Sequence, residues 1–322
     1  MVLGSLLVLP LVYVVAQATN PSSVVARIKS MSLLWIAVLS VGFLLLGGSP
    51  SIGTPLVPAL SVTNAIEFSN RLFGISLVGL FIIATIGKPS RRRMILIGVV
   101  TLGMSIASGS RMSSVIIAAL IITAPSLRMA WKGRVSLAVV GVVLLSSALA
   151  VPEVRQRWFV GDEGSIVDIV TFSSNIDTSG RSELWSSLVP TCNERWLFGR
   201  GIGASNQLSV EYSNGRIDQP HNEYLRVYCD TGLVGSLLFW SVPIAVGVRA
   251  IGSLRRKPET AISVAALQFL AALLLLSLID NVLMAAVQFT APAFIVFAWS
   301  DRAHSDLIER SEFRSSLRQS GD

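Results

Sequence analysis

The chain has 322 residues, of which 52% are hydrophobic and only 14% charged, and its mean hydropathy is +0.65. A soluble domain carries about 25% charged residues, which sets this chain outside that class. The net charge of +7 does not indicate nucleic-acid binding, because the basic residues gather at the ends of apolar runs and no basic stripe with interleaved aromatics occurs.

In chain order the apolar spans are 1–18, 31–48, 72–87, 94–107, 113–125, 135–151, 231–249, 260–279 and 284–300. Each reaches or approaches the roughly 20 residues that cross a hydrocarbon core. Backbone groups in lipid must be satisfied internally, so the spans are helices. The sequence therefore predicts an all-α polytopic membrane protein of about nine transmembrane helices. It divides into an N-terminal bundle (1–151), a long loop (152–230) between the sixth and seventh spans, C-terminal spans (231–300) and a tail (301–322).

Basic clusters mark alternate connections: Arg27 and Lys29; Lys88 with Arg91, Arg92 and Arg93; Arg128, Lys132 and Arg134; Arg249, Arg255, Arg256 and Lys257. By the positive-inside rule these connections and the tail are cytoplasmic, and 49–71, 108–112, 152–230 and 280–283 face outward. That alternation puts the N-terminus outside. No basic leader precedes 1–18, so a membrane domain lacking earlier helices is preferred to a signal peptide cleaved at Ala16-Gln17-Ala18.

The loop 152–230 is polar and too long for a plain connector. Its basic residues are Arg155, Arg157, Arg181, Arg195, Arg200, Arg216 and Arg226, with no lysine. Forked guanidinium groups suit phosphate, although a solvated mixed-charge surface has the same composition. Around Gly180-Arg181, a helix capped by Thr178 or Ser179 is expected, with Leu184, Trp185 and Leu188 on its apolar face and Pro190 at its end. Arg181 then stands beside free amides at a helix start, a phosphate-binding position, or is a surface arginine paired to Glu183 or Asp177. Gly199-Arg200-Gly201-Ile202-Gly203 permits a close backbone approach or a plain turn.

The third piece of the loop is Pro220-His221-Asn222-Glu223-Tyr224-Leu225, running into the span at 231. Asp218 suits the cap of that helix and Pro220 its first turn. The positive end of a helix dipole favours neutral imidazole, the form a general base needs, while an interfacial structural histidine is the alternative. Outside the loop, Ser108-Gly109-Ser110-Arg111 and Arg71 place arginines at the ends of spans, where they bind an anion or snorkel to headgroups. Cys192 and Cys229 both face outward, where disulfides form, but spacing alone does not fix their distance.

Together, Ser108-Gly109-Ser110-Arg111, Gly180-Arg181 with Trp185, Pro190 followed by the glycine loop 199–203, and Pro220-His221-Asn222-Glu223-Tyr224-Leu225 followed by Gly232 and Gly235 resemble the O-antigen ligase and polymerase family of bacterial membrane glycosyltransferases. The similarity runs over roughly 60–250. It implies a GT-C type helical membrane fold and a polyprenyl-pyrophosphate-linked glycan donor. It also implies a glycan, lipid or wall acceptor, and transfer outside the bacterial cytoplasmic membrane without metal or cofactor. The loop histidine and arginines essential in the family correspond to His221, Arg181 and Arg111. The chain departs from the family pattern in being short at its N-terminus, and nothing in it separates ligase from polymerase.

The residues read by themselves fit that chemistry. Arg181, Arg111, Arg200 and Arg71 would neutralise the pyrophosphate, and His221 would take the acceptor proton in a single inverting displacement. Asn222 and Glu223 are expected to orient. No Asp-x-Asp pair or His-Glu-x-x-His occurs, and His and Cys are too few for a zinc site. The competing readings are a glycolipid flippase or polysaccharide exporter, and a partner-binding membrane protein. Almost no charge lies inside the spans, which disfavours an ion-coupled carrier.

Overall fold

The computed structural model describes residues 16, 63–86, 91–107, 110–123, 150, 152, 155, 159, 180–256, 261–284, 289–302 and 305. Their regular elements are helices joined by turns, with no extended strand among the described residues. In order they form α1 (Thr63–Ile86), α2 (Arg91–Ala107), α3 (Arg111–Thr123), α4 (Arg181–Asn193), α5 (Ala204–Tyr212), α6 (Glu223–Arg256), α7 (Ala261–Leu276), a 3-10 turn (Val282–Met284) and α8 over 291–302.

Helices α1, α2, α3, α6, α7 and α8 fall on six of the expected spans. The spans at 31–48 and 135–151, and 1–18 apart from Ala16, lie outside the described residues, save for residue 150. One helix, Glu223–Arg255, has the length and hydropathy to cross a bilayer, while Gly74–Ala84, Ile95–Ile106, Arg111–Ile121 and Ala261–Leu276 are shorter apolar helices. The fold is thus all-helical and apolar, and the expected count of nine spans is not established.

Small residues set how closely the apolar helices approach. Gly74 of α1 faces Ser110, and a Cβ there would collide with the serine side chain. Ser110 Oγ donates to Ser113 Oγ at 2.8 Å at the start of α3, and Ser114 Oγ donates to Ser105 Oγ at 3.0 Å, tying α2 to α3. Small residues and serine pairs at such contacts let apolar helices pack without a hydrophobic driving force between them. Phe81, Phe269, Phe289 and Phe297 fill the core, where α7 lies against α1, α3 and α6. Ala16 joins this core, its carbonyl accepting from Trp299 Nε1 at 3.0 Å.

Helix α6 corrects the expectation that a span begins near 231. The helix starts at Glu223 and is interrupted at Gly232, whose φ of 68° and ψ of −168° are not helical. The rings of Tyr224 and Trp240 stack with centroids 4.5 Å apart. A straight helix would separate these positions by about 24 Å along its axis, so the chain doubles back at Gly232. The arm before the break is largely buried; the arm after it carries the long apolar face.

Candidate active site

The long loop holds α4, where a helix was expected, and also α5, and these pack on the buried arm of α6. Leu184, Leu188, Cys192, Leu225 and Cys229 form a small second core, closed by a disulfide between Cys192 and Cys229. Two points about α4 differ from expectation. Its N-cap is Gly180, at φ 76°, with no side-chain cap, while Thr178 and Ser179 lie outside the described residues. Pro190 lies inside the helix, which runs on to Asn193. The carbonyl that Pro190 leaves unbonded belongs to Ser186 on the exposed face, and Leu184, Leu188 and Cys192 hold the opposite face.

Arg181 opens α4. Its Nη1 donates to the carbonyl of Ile279 at 2.5 Å, so the side chain reaches across the fold to the segment after α7. Trp185, one turn on, donates from Nε1 to the carbonyl of Pro220 at 2.6 Å and so fixes the approach to His221.

His221 has φ 51°, the left-handed region that non-glycine residues enter only at a cost. The helix begins two residues later, and Asn222 is its cap: Asn222 Oδ1 accepts the Leu225 amide at 2.9 Å. Asp218 is therefore not the cap, and Pro220 precedes the helix rather than occupying its first turn. A capping oxygen must reach the amide three residues on, and only the residue next to the helix does so. The turn at His221 carries the imidazole to the same segment that Arg181 reaches. Nδ1 lies 2.9 Å from Asn281 Nδ2 and 4.0 Å from Asp280 Oδ1, with the His221 and Asp280 side chains 16% and 14% exposed.

Glu223 has a structural place. It is fully buried; its Oε1 accepts the Leu283 amide at 2.9 Å, and its Oε2 pairs with Arg226 Nη2 at 2.5 Å. The Glu223 amide donates to the Ser277 carbonyl at 2.8 Å, and the Tyr224 hydroxyl donates to the Leu274 carbonyl at 3.0 Å. Residues 274–283 thus form a plate on which the start of α4 and the start of α6 converge. The points where Arg181 and His221 touch it, Ile279 and Asn281, are at most about 7 Å apart along the backbone.

Of the other expected arginines, Arg200 lies elsewhere. Arg200 donates from Nε to the Thr191 carbonyl at 2.9 Å and pairs with Glu194. That holds it at the far end of α4, about 15 Å along the axis from Arg181. The glycine loop is a backbone joint: the amides of Arg200 and Gly201 donate to the carbonyls of Cys229 and Asp230, each at 2.9 Å. Asp230, which sequence reasoning passed over, caps α5 with both carboxylate oxygens, accepting the amides of Gly203 and Ser205 at 2.9 Å each. Arg111 opens α3 and is half-buried. Arg71 lies within α1.

Asp280 and Asn281 were expected to be only part of a short outward connection. Asp280 is the one charged residue between Glu259 and Asp301. A solitary ionisable residue in such an apolar stretch is a functional signal in itself, and it was the clue available. Among the described residues, no group of three or more His, Cys, Asp or Glu is placed to hold a metal ion.

Over residues 96–240 the sequence matches the family model described as O-antigen ligase. The matched stretch contains Arg111, Arg181, Arg200 and His221; the plate at 274–283 lies beyond it. No curated protein matches the chain.

Proposed function

We propose, from the match of residues 96–240 to the O-antigen ligase family model, that this chain transfers a polyprenyl-pyrophosphate-linked glycan to an acceptor hydroxyl on the outer side of the cytoplasmic membrane. The observation that carries this reading is the convergence of Arg181 and His221 on Ile279–Asn281. One group suits a diphosphate, the other suits a proton, and a single turn holds both.

In this reading the acceptor oxygen attacks the anomeric carbon as the bond to the pyrophosphate oxygen breaks. The bonding pair leaves with the lipid pyrophosphate, where Arg181 stabilises the growing charge, with Arg111 as a second cation on α3. The acceptor proton passes to His221 Nε2, and one displacement inverts the centre. Arg200 is omitted from the set because Thr191 and Glu194 hold it at the other end of α4.

A base at Nε2 requires the proton of the ring to sit on Nδ1. The Asn281 amide beside Nδ1 has two faces. With its NH2 donating to Nδ1, Nε2 keeps the proton. With its carbonyl accepting from Nδ1–H, Nε2 offers a lone pair. The second arrangement brings to the ring an oxygen, Asn281 Oδ1, that is otherwise buried without a partner among the described residues. Asn281 is thus a positioning residue that sets the tautomer of the base.

The disulfide between α4 and α6 suits an oxidising compartment, which supports placing the site outside. The test is reconstitution with a defined lipid-linked glycan and a panel of acceptors, read by mass. Transfer by the wild-type protein and its loss in His221→Ala at equal expression is the expected result. Undiminished transfer by His221→Ala overturns the mechanism, and glycolipid crossing the bilayer without transfer overturns the enzyme reading.

A further inference from the structure

The loop that joins α4 to α5 is more apolar at its surface than a water-facing loop requires. Trp196 is 53% exposed, Phe198 73% and Ile202 53%, with Leu197 beside them at 36%. Asn193, Glu194 and Arg195, immediately before, are exposed and polar. The backbone of this loop is fixed. The amides of Leu233 and Val234 donate to the carbonyls of Trp196 and Leu197 at 2.7 and 3.2 Å, so the loop is bonded to the first turn after the break in α6.

That turn begins an exposed apolar face comprising Leu233, Leu237, Leu238, Val242, Val248 and Ile251. From Thr231 to Val248 the sequence has no charged residue, and Arg249 follows. From Leu233 to Ile251 the face is about 27 Å long, close to the thickness of a hydrocarbon core. Arg249, Arg255 and Arg256 mark one end of it; the Trp196–Ile202 loop marks the other. An aromatic cluster at the end of a lipid-length apolar face, with a cation beside it, is the composition of a membrane–water boundary.

We infer that the Trp196–Ile202 loop is a membrane-embedded rim that sits at the headgroup and acyl boundary of the outer leaflet, with phospholipid as its occupant. The inference rests on reading the second arm of α6 as a membrane span. It revises the assignment of the whole of 152–230 to the aqueous side. Burying this loop in lipid fixes the height of α4 through Cys192 and the Gly199–Gly232 contact, and so sets the height at which Arg181 meets a lipid-borne diphosphate.

Both native cysteines are consumed in the disulfide, so an introduced cysteine is the one free thiol. Nitroxide labels at Phe198→Cys, Ile202→Cys, Leu238→Cys and Glu211→Cys, in the full chain reconstituted in phosphatidylethanolamine–phosphatidylglycerol vesicles, are compared for collision with oxygen and with a water-soluble nickel chelate. Labels at 198 and 202 are expected to favour oxygen several-fold over the label at 211, as the label at 238 does. A lipid-exposed 238 with water-exposed 198 and 202 overturns the rim and leaves the span intact. A water-exposed 238 overturns both. Shielding of 198 and 202 from both reagents overturns the rim in favour of a protein contact. Should a labelled loop variant fail to fold, the difference in quenching by brominated phospholipid between wild type and Trp196→Phe decides: a fall in quenching in the variant supports the rim, and no change overturns it.

Discussion

Gly199 and Gly232 meet backbone to backbone: a Cβ on either would lie 2.5 Å from the other's amide nitrogen. One belongs to the loop after α4, the other to the break in α6. Both have positive φ, 73° and 68°. This contact allows the chain to double back after the buried arm while the α4–α5 unit stays locked to it. Gly203 in the same loop has φ 91° but open space around its α-carbon. Alanine there should cost only the backbone strain, about 1–2 kcal/mol. Alanine at 199 or 232 adds a collision with main chain, which cannot give way as a side chain can. Thermal unfolding in detergent should rank Gly203→Ala well above the other two. Equal stability of all three would remove the joint.

Arg181 and Arg200 should separate in function. Arg181 is held on Ile279, and under the proposed function its forked guanidinium meets a diphosphate, a contact that the point charge of lysine does not reproduce; Arg181→Lys should then lower transfer tenfold or more without unfolding. The Arg200–Glu194 pair is largely exposed at its acidic partner, and such pairs contribute about 0–1 kcal/mol. Arg200→Ala should therefore leave transfer near the wild-type rate. Initial rates at saturating donor, measured alongside melting temperature, check both.

Two replacements of Asn281 of similar size should behave differently. Asn281→Asp keeps an acceptor for Nδ1–H and should retain most of the rate. Asn281→Leu removes it, and a loss of about 10–100-fold in transfer is expected, the range seen when an imidazole loses its orienting partner. If Leu and Asp behave alike, Nδ1 is not the position that matters.

Glu223 should act through stability. Removing it leaves Arg226 buried without its partner and frees the Leu283 amide, at a cost of about 3–5 kcal/mol for breaking a buried pair. Replacing the pair together, as Glu223→Leu with Arg226→Met, should recover much of that loss. Urea or thermal unfolding of the two single variants and the double variant tests this. A Glu223→Ala protein as stable as wild type would exclude the structural role.

The Cys192–Cys229 bond closes a loop with a sequence separation of 37. Removing a bridge of that span costs roughly 2–4 kcal/mol. Protein purified from membranes should carry no titratable thiol until reduced, and Cys192→Ser with Cys229→Ser should melt at lower temperature. Two free thiols in the native protein would contradict the bond.

The helices were legible because lipid imposes a one-dimensional rule. Long uncharged runs give α2, α3 and α7 at nearly the expected positions. The positions of His221 and Arg181 at helix starts in an otherwise polar loop were also legible. Their partners were not. Ile279 contributes a carbonyl, which no side-chain pattern reveals, and Asn281 lies 60 positions from His221. The position of Arg200 at the other end of α4 was hidden for the same reason. Glycines at 199, 201 and 203 look alike in sequence whether they cradle a ligand or another stretch of main chain.

The sequence by itself determined which of the described segments are apolar helices and which few residues carry a guanidinium or an imidazole, because hydropathy and functional-group type are local properties. Only the tertiary structure decided that the chain reverses at Gly232, that Arg181 and His221 share the Ile279–Asn281 turn, and that Arg200 is kept apart from them. Those outcomes depend on backbone contacts between distant segments, where the atoms that matter are the same in every residue.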